Sequence, residues 1–313
     1  MLDISQNGKV LHLHIGMGKA GSTTIQDFLR QVKKDNQAWP IDSFGAIGNA
    51  WKLAASSGTD KARRYWVDHL NRLSEDSFYR LENKLWIDLH SEVSSQNKGN
   101  FIASSEHISS HYCNNEDDIS SLKDRLYSCF SDVHIIIYVR NQIHWLKSFY
   151  CQTVKGPTRS SQKFEHFIDD MDQYKDFWDY YSLCRAWSDV FGKERTSVTL
   201  FDSRCFVDGD LIKDFCSKAE MLSVYQSNRM YRKSNITPTF NQIQILRRLN
   251  KYDKGLIFRL PSQLVRKLIG KSNFLFSDAF PDEYDGIIRS KISDSNRKMN
   301  EQFLNECPVQ LPV

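Results

Sequence analysis

Apolar residues that alternate, or that recur at helical spacing, divide the chain into short strands and longer helices. Four apolar runs of strand length predict β-strands at Val10–Ile15, Asn100–Ser104, Val133–Val139 and Thr196–Phe201. The third run is continuously apolar after His134, which is typical of a central strand covered on both faces. Because helical stretches separate the runs, we predict a doubly wound α/β fold with a parallel sheet.

Helical spacing of apolar residues predicts amphipathic helices outside these strands. They follow the first strand, form a helical insert at about 51–98 and fill most of the last third of the chain. The positions that carry the pattern are Ile25, Phe28, Leu29 and Val32; Trp66, Leu70 and Leu73; Leu81, Leu85 and Leu89; Ile243, Leu246 and Leu249 after a Thr237-Pro238 helix start; and Ile288, Ile292, Met299 and Phe303. We predict one domain over 1–313, with an α/β core over 1–205 and a mainly helical part over 206–313.

Composition and charge describe an ordinary folded globule with a mild basic excess. The 313 residues suffice to bury a full α/β core, and 40% hydrophobic with 26% charged residues does not indicate disorder. Lys and Arg number 42 against 38 Asp and Glu, a net charge of +4. This excess fits an anionic ligand but is too small to indicate nucleic acid, so we predict no nucleic-acid partner.

The cysteine pattern and the lack of long apolar runs bear on the cellular compartment. No run approaches the roughly 18 apolar residues of a membrane span, and Met1–Lys9 has no signal-peptide core. The seven cysteines are scattered, odd in number and free of close CxxC pairs, which favours reduced thiols. We therefore predict a cytoplasmic protein without a membrane span; a luminal enzyme that has lost its anchor is the alternative. His107 and His111 lie near Cys113, but without a zinc motif we predict no metal site.

The segment between the first strand and the first helix has the composition of an anion-binding loop. Gly16–Gly21 gives a turn with little side-chain bulk, and Lys19 adds a positive charge. Ser22, Thr23 and Thr24 add hydroxyl donors where the helix begins. Backbone amides in such a turn and at a helix N-terminus favour anions. The sequence therefore predicts a cradle for phosphate or sulfate.

The position of the lysine distinguishes this loop from the common nucleoside-triphosphate loop. That pattern places Lys and then Ser or Thr directly after the second glycine. Here Lys19 precedes Gly21 and Ser22 follows it, so the support for magnesium binding is lost. The order Lys-x-Gly-Ser-Thr-Thr after a His-Ile strand resembles the 5′-phosphosulfate loop of sulfotransferases that use 3′-phosphoadenosine 5′-phosphosulfate (PAPS).

A second motif follows the third strand. Arg140 comes directly after that strand, where ligands of open α/β sheets bind, and Ser148 follows eight positions later on a predicted helix. An arginine fork and a hydroxyl can grip one phosphate from two sides. Together with the loop, this spacing resembles the 3′-phosphate site of the same superfamily. Ser234-Asn235 and Asp294–Arg297 resemble segments of bacterial members that modify glycans. The Arg-Lys-Gly loop of small-molecule members is absent, which argues against steroid or phenol acceptors.

The resemblance implies a fold, a donor and residue roles. The fold is a phosphate-loop-like three-layer α/β fold with a central parallel sheet flanked by helices and a C-terminal helical region. The implied reaction transfers a sulfuryl group from PAPS to a hydroxyl of a sugar-containing acceptor, such as a polysaccharide, an oligosaccharide or a glycolipid. It leaves 3′-phosphoadenosine 5′-phosphate (PAP) and needs no metal. Besides binding the donor, Lys19 would contact the leaving 5′-phosphate during transfer, as the matching lysine of the family does. The residues assigned to the donor are Lys19, Ala20, Gly21, Ser22, Thr23, Thr24, Arg140 and Ser148.

A general base must take the proton of the acceptor hydroxyl. The second strand leads into a Ser-Glu-His sequence, which places Glu106 and His107 at the sheet edge that carries Lys19. We favour Glu106, with His107 second. His14 is a third candidate, although a core histidine is its simpler interpretation. Trp145 has the chemistry to stack on adenine, but a core aromatic is again simpler.

Two other functional classes are open at this point. A phosphate-loop kinase would need a carboxylate for magnesium after a strand and a lysine directly after the second glycine. Arg140 stands where that carboxylate is expected. A non-catalytic protein that binds glycans or anions is the other alternative, and the combination of Lys19 with Glu106 argues against it. The sequence favours the sulfotransferase.

Overall fold

A parallel sheet forms the centre of the computed structural model. The residues that it describes are 8–34, 40–45, 49–56, 64, 67, 74–97, 99–112, 115–156, 158–225, 239–252 and 280–313. Within them, the strands are β1 (Val10–His14), β2 (Asn100–Ser104), β3 (Asp132–Val139) and β4 (Thr196–Leu200). All neighbours are parallel and the order is β2-β1-β3-β4. The four predicted strands are confirmed to within one residue at each end.

Helices connect the strands and flank the sheet. Those that position the site or the core are α1 (Ser22–Lys34), α2 (Trp51–Ala55), α3 (Glu75–Ser94), α4 (Glu106–Tyr112), α5 (Glu116–Tyr127), α6 (Gln142–Lys155), α7 (Phe164–Asp169), α8 (Lys175–Trp178), α9 (Tyr180–Phe191), α10 (Leu211–Lys218), α11 (Phe240–Tyr252) and α12 (Glu283–Gln302). The predicted α/β class, with a central parallel sheet flanked by helices, is confirmed.

The apolar patterns read from the sequence face the core. β3 lies between β1 and β4, and its segment 135–139 is buried at every position, as expected for a strand with no polar face. The four apolar positions of α1 are buried against the same core. A second cluster joins α6 to α7, α11 and α12, with Leu146, Tyr150 and Ile292 at its centre. The helical part of the chain therefore packs directly on α6, which carries the second motif.

Some of the helical predictions lie on residues outside the described part of the chain. Leu85 and Leu89 of α3 are buried as predicted, and Leu81 of the same stripe is half-buried. The predicted final helix is confirmed as α12, with Phe303 directly after its end. The predictions that lie outside the described residues concern Trp66, Leu70, Leu73, Cys113, Ser234-Asn235 and Thr237-Pro238.

The cysteines contradict one prediction. Cys205 and Cys307 form a disulfide that joins positions 102 residues apart, with their Cα atoms 5.7 Å from each other. The prediction of reduced thiols is therefore wrong for this pair. Sequence spacing gave no sign of it, because only folding brings the segment after β4 beside the segment after α12. The cytoplasmic location, which rested on the cysteines, stays a prediction.

No helix in the described ranges is long and apolar enough to cross a membrane. Over the same residues, no group of three or more His, Cys, Asp and Glu side chains is arranged to hold a metal ion.

Two buried histidines on β1 should make the fold sensitive to acid. His12 and His14 are both 0% exposed. Burial lowers the pKa of His14 to about 3, and burial together with the charge of His134 lowers the pKa of His12 to about 4. In the unfolded chain both return to about 6.5. Below that pH the unfolded state binds more protons than the folded state, so stability is lost as pH falls.

We expect the free energy of unfolding to drop by about 2 kcal/mol for each of these histidines between pH 7 and pH 5. Urea denaturation at the two pH values measures the drop. His12→Leu should abolish the part of this drop in unfolding free energy that His12 causes. The substitution breaks no hydrogen bond of the ring, because neither ring nitrogen of His12 has a partner among the described residues. His166→Gln, at an exposed position, is the matched control. An equal pH dependence in wild type and His12→Leu would contradict the assignment.

Candidate active site

The carboxyl ends of the strands meet at one edge of the sheet. The ladder fixes this edge through the hydrogen bonds from Ser105 N to His14 O at 2.9 Å, from Ile15 N to Ile136 O at 3.1 Å and from Phe201 N to Val139 O at 2.6 Å. The segments that continue beyond the strands are the glycine-rich loop, Glu106, Arg140 and the residues after β4. The sequence motifs therefore come together where ligands of parallel sheets bind.

The loop between β1 and α1 is shaped by residues with positive φ. Gly16, Lys19 and Gly21 have φ values of 60°, 70° and 85°. A Cβ at Gly21 would lie 2.6 Å from a ring carbon of Phe201 and 2.7 Å from a methyl carbon of Leu211, so both space and conformation require glycine there. Lys19 adopts a left-handed conformation that is uncommon for a lysine, and such residues cluster at ligand-binding sites.

Most amides of the loop are not used by the fold. The amide of Ala20 and the hydroxyl of Ser22 both donate to Met17 O, at 3.2 and 3.3 Å, and so close the turn. Among the described residues, no backbone carbonyl accepts a hydrogen bond from the amides of Gly18, Lys19, Gly21, Ser22 or Thr23. Unpaired amides in a positive-φ turn and at a helix N-terminus form an anion-binding surface.

Two side chains from the β3–α6 junction hold the loop from outside. Trp145 Nε1 donates to Gly18 O at 2.9 Å, and Arg140 Nη1 donates to Lys19 O at 3.1 Å. Because C=O and N–H point in opposite directions across a trans peptide, the bond to Gly18 O turns the Lys19 amide away from α6. Trp145 is 2% exposed and stacks on Phe149 with ring centroids 4.9 Å apart, so its interpretation as a core aromatic is confirmed.

Lys19 is half-buried among other charged groups. Burial, followed by the charge of Lys155, lowers its pKa, while Glu106 acts in the opposite direction. Arg140 is also partly buried, and burial lowers its pKa, although a guanidinium stays charged in proteins. The region around Lys19 therefore has more cations than carboxylates. This electrostatic imbalance favours an anionic ligand at the loop.

Glu106 lies directly beside the loop. A Cβ built on Gly16 would come within 3.2 Å of Glu106 Cα, so the first turn of α4 and the loop are in close contact. Gln26 Nε2 donates to Glu106 Oε2 at 2.6 Å and orients the carboxylate. Sequence reasoning missed Gln26, although it lies one helical turn after Ser22 on α1 and hence faces the same side as the loop.

The two histidine candidates differ in position. His14 Nδ1 lies 2.8 Å from Ser104 Oγ inside the sheet, and the low pKa of His14 keeps its ring neutral. This confirms His14 as a core residue with no exposed surface toward an acceptor. His107 is half-buried on α4, and its backbone amide donates to Ser105 Oγ at 3.3 Å.

Ser148 is half-buried on α6. It lies three positions from both Trp145 and Cys151, so the three residues share one helix face, and Trp145 fixes that face toward the loop. Ser148 stands about 9 Å along the helix axis from Gln142, at about 1.5 Å per residue. Arg140, directly before α6, and the helix face that carries Ser148 therefore both lie beside the loop.

A cleft of about 250 Å³ opens beside Arg140. Its walls come from the start of α6, the segment after β4 and the end of the chain. The lining residues are Arg140, Asn141, His144, Leu200, Phe201, Asp202, Arg204, Val309 and Gln310. Except for Arg140, sequence reasoning missed these residues. The sequence signal that could have found some of them is a position just after a strand of the sheet, which Asn141, Phe201 and Asp202 have.

Comparisons with known proteins give limited matches. No family model matches the chain. An uncharacterized protein of Archaeoglobus fulgidus is 29% identical over 120 residues, which is 37% of this chain and 30% of the archaeal protein. The match therefore spans less than a third of that relative. Among solved structures, a sulfotransferase from Alicyclobacillus acidocaldarius aligns with a TM-score of 0.45 and 17% identity, over 83% of this chain and 95% of that chain.

A buried amide pair joins the second motif to the last helix. Gln142, in the first turn of α6, and Asn296 of α12 are both 0% exposed. Asn296 Nδ2 donates to Gln142 Oε1 at 3.2 Å, and Gln142 Nε2 donates to Asn296 Oδ1 in return. The Asp294–Arg297 segment thus fixes the start of α6, which follows Arg140.

Proposed function

We propose that this protein is a sulfotransferase that moves a sulfuryl group from PAPS to a hydroxyl of a sugar-containing acceptor. The observation that carries the proposal is the loop between β1 and α1. It combines unpaired amides with a half-buried Lys19. Arg140 and Trp145 each donate a hydrogen bond to one of its carbonyls, Lys19 O and Gly18 O. Such a loop suits a tetrahedral oxyanion.

The donor offers two anionic groups, and the site offers two cationic positions to match them. Lys19 and the loop amides form one, and Arg140 beside the cleft forms the other. The 5′-phosphosulfate would be held by Lys19, Gly21, Ser22, Thr23 and Thr24, whereas Ala20, whose amide is bonded to Met17 O, would shape the turn. Arg140 and Ser148 would hold the 3′-phosphate. One of the five N–H groups of Arg140 donates to Lys19 O, and others can donate to a ligand.

Charge placement is the main chemical task of this site. Sulfuryl transfer resembles phosphoryl transfer, in which a loose, in-line transition state gains most from positioning and from neutralisation of the leaving group. The Lys19 ammonium would neutralise charge that develops on the leaving 5′-phosphate. Partial burial strengthens this interaction, because a low dielectric screens charges less.

Glu106 is the proposed general base. It lies next to the loop and is oriented by Gln26, as a base that must meet an acceptor hydroxyl needs to be. His107 follows it on the same helix and is the second candidate. The sugar-containing acceptor rests on the resemblance to bacterial members that modify glycans.

A sulfate-transfer assay tests the proposal. The protein is incubated with PAPS carrying labelled sulfate, a chelator of divalent metals, and separate acceptors of polysaccharide, oligosaccharide and glycolipid type. We expect label in at least one sugar-containing acceptor and stoichiometric release of PAP. Transfer to none of the acceptors, without PAP release, would contradict the proposed function.

The hydrogen bond from Trp145 to Gly18 O helps to hold the loop in shape. Trp145→Phe keeps an aromatic ring in the stack but removes the donor to Gly18 O. We expect the affinity for PAP to fall about five- to tenfold, which corresponds to about 1 kcal/mol for one lost hydrogen bond. Calorimetric titration measures the change.

Trp178→Phe is the matched control. Its ring packs in the same second cluster as Trp145, but its indole donates to Met171 O at 2.9 Å, which lies outside the loop. We expect this variant to bind PAP like the wild type. Equal losses in both variants would indicate general destabilisation and would refute a specific role of Trp145 in shaping the loop.

A further inference from the structure

The cleft beside Arg140 has one wall built from the last residues of the chain. Val309 and Gln310 line it, and the segment 308–313 is fixed by hydrogen bonds to α12. Asn300 Nδ2 donates to Leu311 O at 3.0 Å, and Leu311 N donates back to Asn300 Oδ1 at 2.9 Å. Asn296 Nδ2 also donates to Pro312 O at 2.6 Å.

The disulfide joins this wall to the one formed by the segment after β4. Cys205 directly follows Arg204, and Cys307 precedes Val309 by two positions, so the bond connects both sides of the cleft beside the lining residues. Both cysteines are partly exposed, so a reductant in solution reaches them. The disulfide therefore sets the spacing between the segment after β4 and the segment 308–313.

The lining has the chemistry of a site for a phosphorylated nucleoside. Arg140 and His144 offer N–H donors on one side, and Phe201 and Val309 offer aromatic and apolar surface for a flat ring. Arg204 is held by Asp202 through two hydrogen bonds of 2.9 and 2.8 Å, so its guanidinium is fixed at the cleft rim. Asn141 and Gln310 add amide groups for ring or ribose hydrogen bonds.

We propose that this cleft binds the nucleoside 3′-phosphate portion of the donor and that its affinity depends on the intact Cys205–Cys307 disulfide. The inference rests on the proposed function and adds a redox dependence to it. Reduction by a dithiol breaks the S–S bond: two electrons and two protons pass to the protein, two thiols form and the dithiol closes to a cyclic disulfide. The segment 308–313 then loses its covalent tie to the segment after β4.

Calorimetric titration with PAP, before and after treatment with dithiothreitol, tests this dependence. We expect reduction to weaken binding about tenfold, because the spacing between the segment after β4 and the segment 308–313 is then no longer covalently fixed. The double variant Cys205→Ser/Cys307→Ser should bind PAP as weakly as the reduced wild type and should not respond to dithiothreitol. Circular dichroism and thermal melting confirm that each sample is folded at the titration temperature.

A variant with the disulfide intact tests the cleft itself. Val309→Asp adds a carboxylate to the lining that Arg140 shares and should weaken PAP binding about tenfold or more. Asn305→Asp adds the same charge at an exposed position outside the cleft and should have no effect. Unchanged PAP affinity after reduction and in Val309→Asp would overturn this inference alone. Failure of the oxidised wild type to bind PAP would instead contradict the proposed function.

Discussion

Replacing Lys19 with methionine should slow sulfate transfer by about a hundred- to a thousandfold, the usual cost of losing one group that stabilises transition-state charge. Methionine keeps the length of the side chain and removes its charge. Like lysine, it is unbranched at Cβ, so the backbone φ of 70° at this position strains it no more than it strains lysine. The affinity for PAP should fall as well, because Lys19 would contact the 5′-phosphate in both donor and product.

Lys34→Met is the control for this variant. Lys34 is exposed in the last turn of α1, the helix that begins at the loop, and should be replaceable without loss of activity. Initial rates with labelled PAPS and calorimetric titration with PAP measure the two effects. An unaffected transfer rate in Lys19→Met would refute the role of the loop in catalysis.

Replacing Glu106 with glutamine should lower kcat by about a hundred- to ten-thousandfold, the range reported for general base catalysis. Glutamine has the same shape, and its amide oxygen is able to accept the hydrogen bond from Gln26, so the contact between α1 and α4 is retained. PAP binding should therefore remain close to that of the wild type. This split between kcat and binding distinguishes a base from a residue that holds the donor.

Glu116→Gln provides the comparison for Glu106→Gln. Glu116 also lies in the first turn of a helix, α5, but is exposed at its surface. We expect this variant to retain full activity. His107→Asn decides between the two candidate bases: full activity in Glu106→Gln together with loss in His107→Asn would assign the proton transfer to His107.

The parts of the fold that were predictable from the sequence are those encoded by neighbouring residues. Each strand is a short apolar run. β3 is apolar from Ile135 to Val139 because both faces of the sheet are covered there. The loop was predictable for the same reason, since Gly16, Lys19 and Gly21 all lie within one turn. Its approach to Glu106 and Arg140 followed from the parallel sheet, which brings strand ends to one edge.

The features that escaped sequence reasoning depend on contacts between distant segments. The Cys205–Cys307 disulfide and the Gln142–Asn296 pair each join positions more than a hundred residues apart. The indole of Trp145 is a comparable case, since its position predicted a core aromatic but not the bond to Gly18 O. Such contacts leave no periodic signal, because each depends on how whole helices pack.

The identity of the donor is the central claim, and calorimetric titration in the presence of EDTA tests it most directly. Three ligands are compared: PAP, adenosine 5′-monophosphate, and ATP with and without added magnesium in place of EDTA. We predict that PAP binds without a divalent metal and at least about tenfold more tightly than the monophosphate, because Arg140 and Ser148 would contact the 3′-phosphate. Magnesium-dependent binding of ATP, with no preference for PAP over the monophosphate, would contradict the account and favour a kinase.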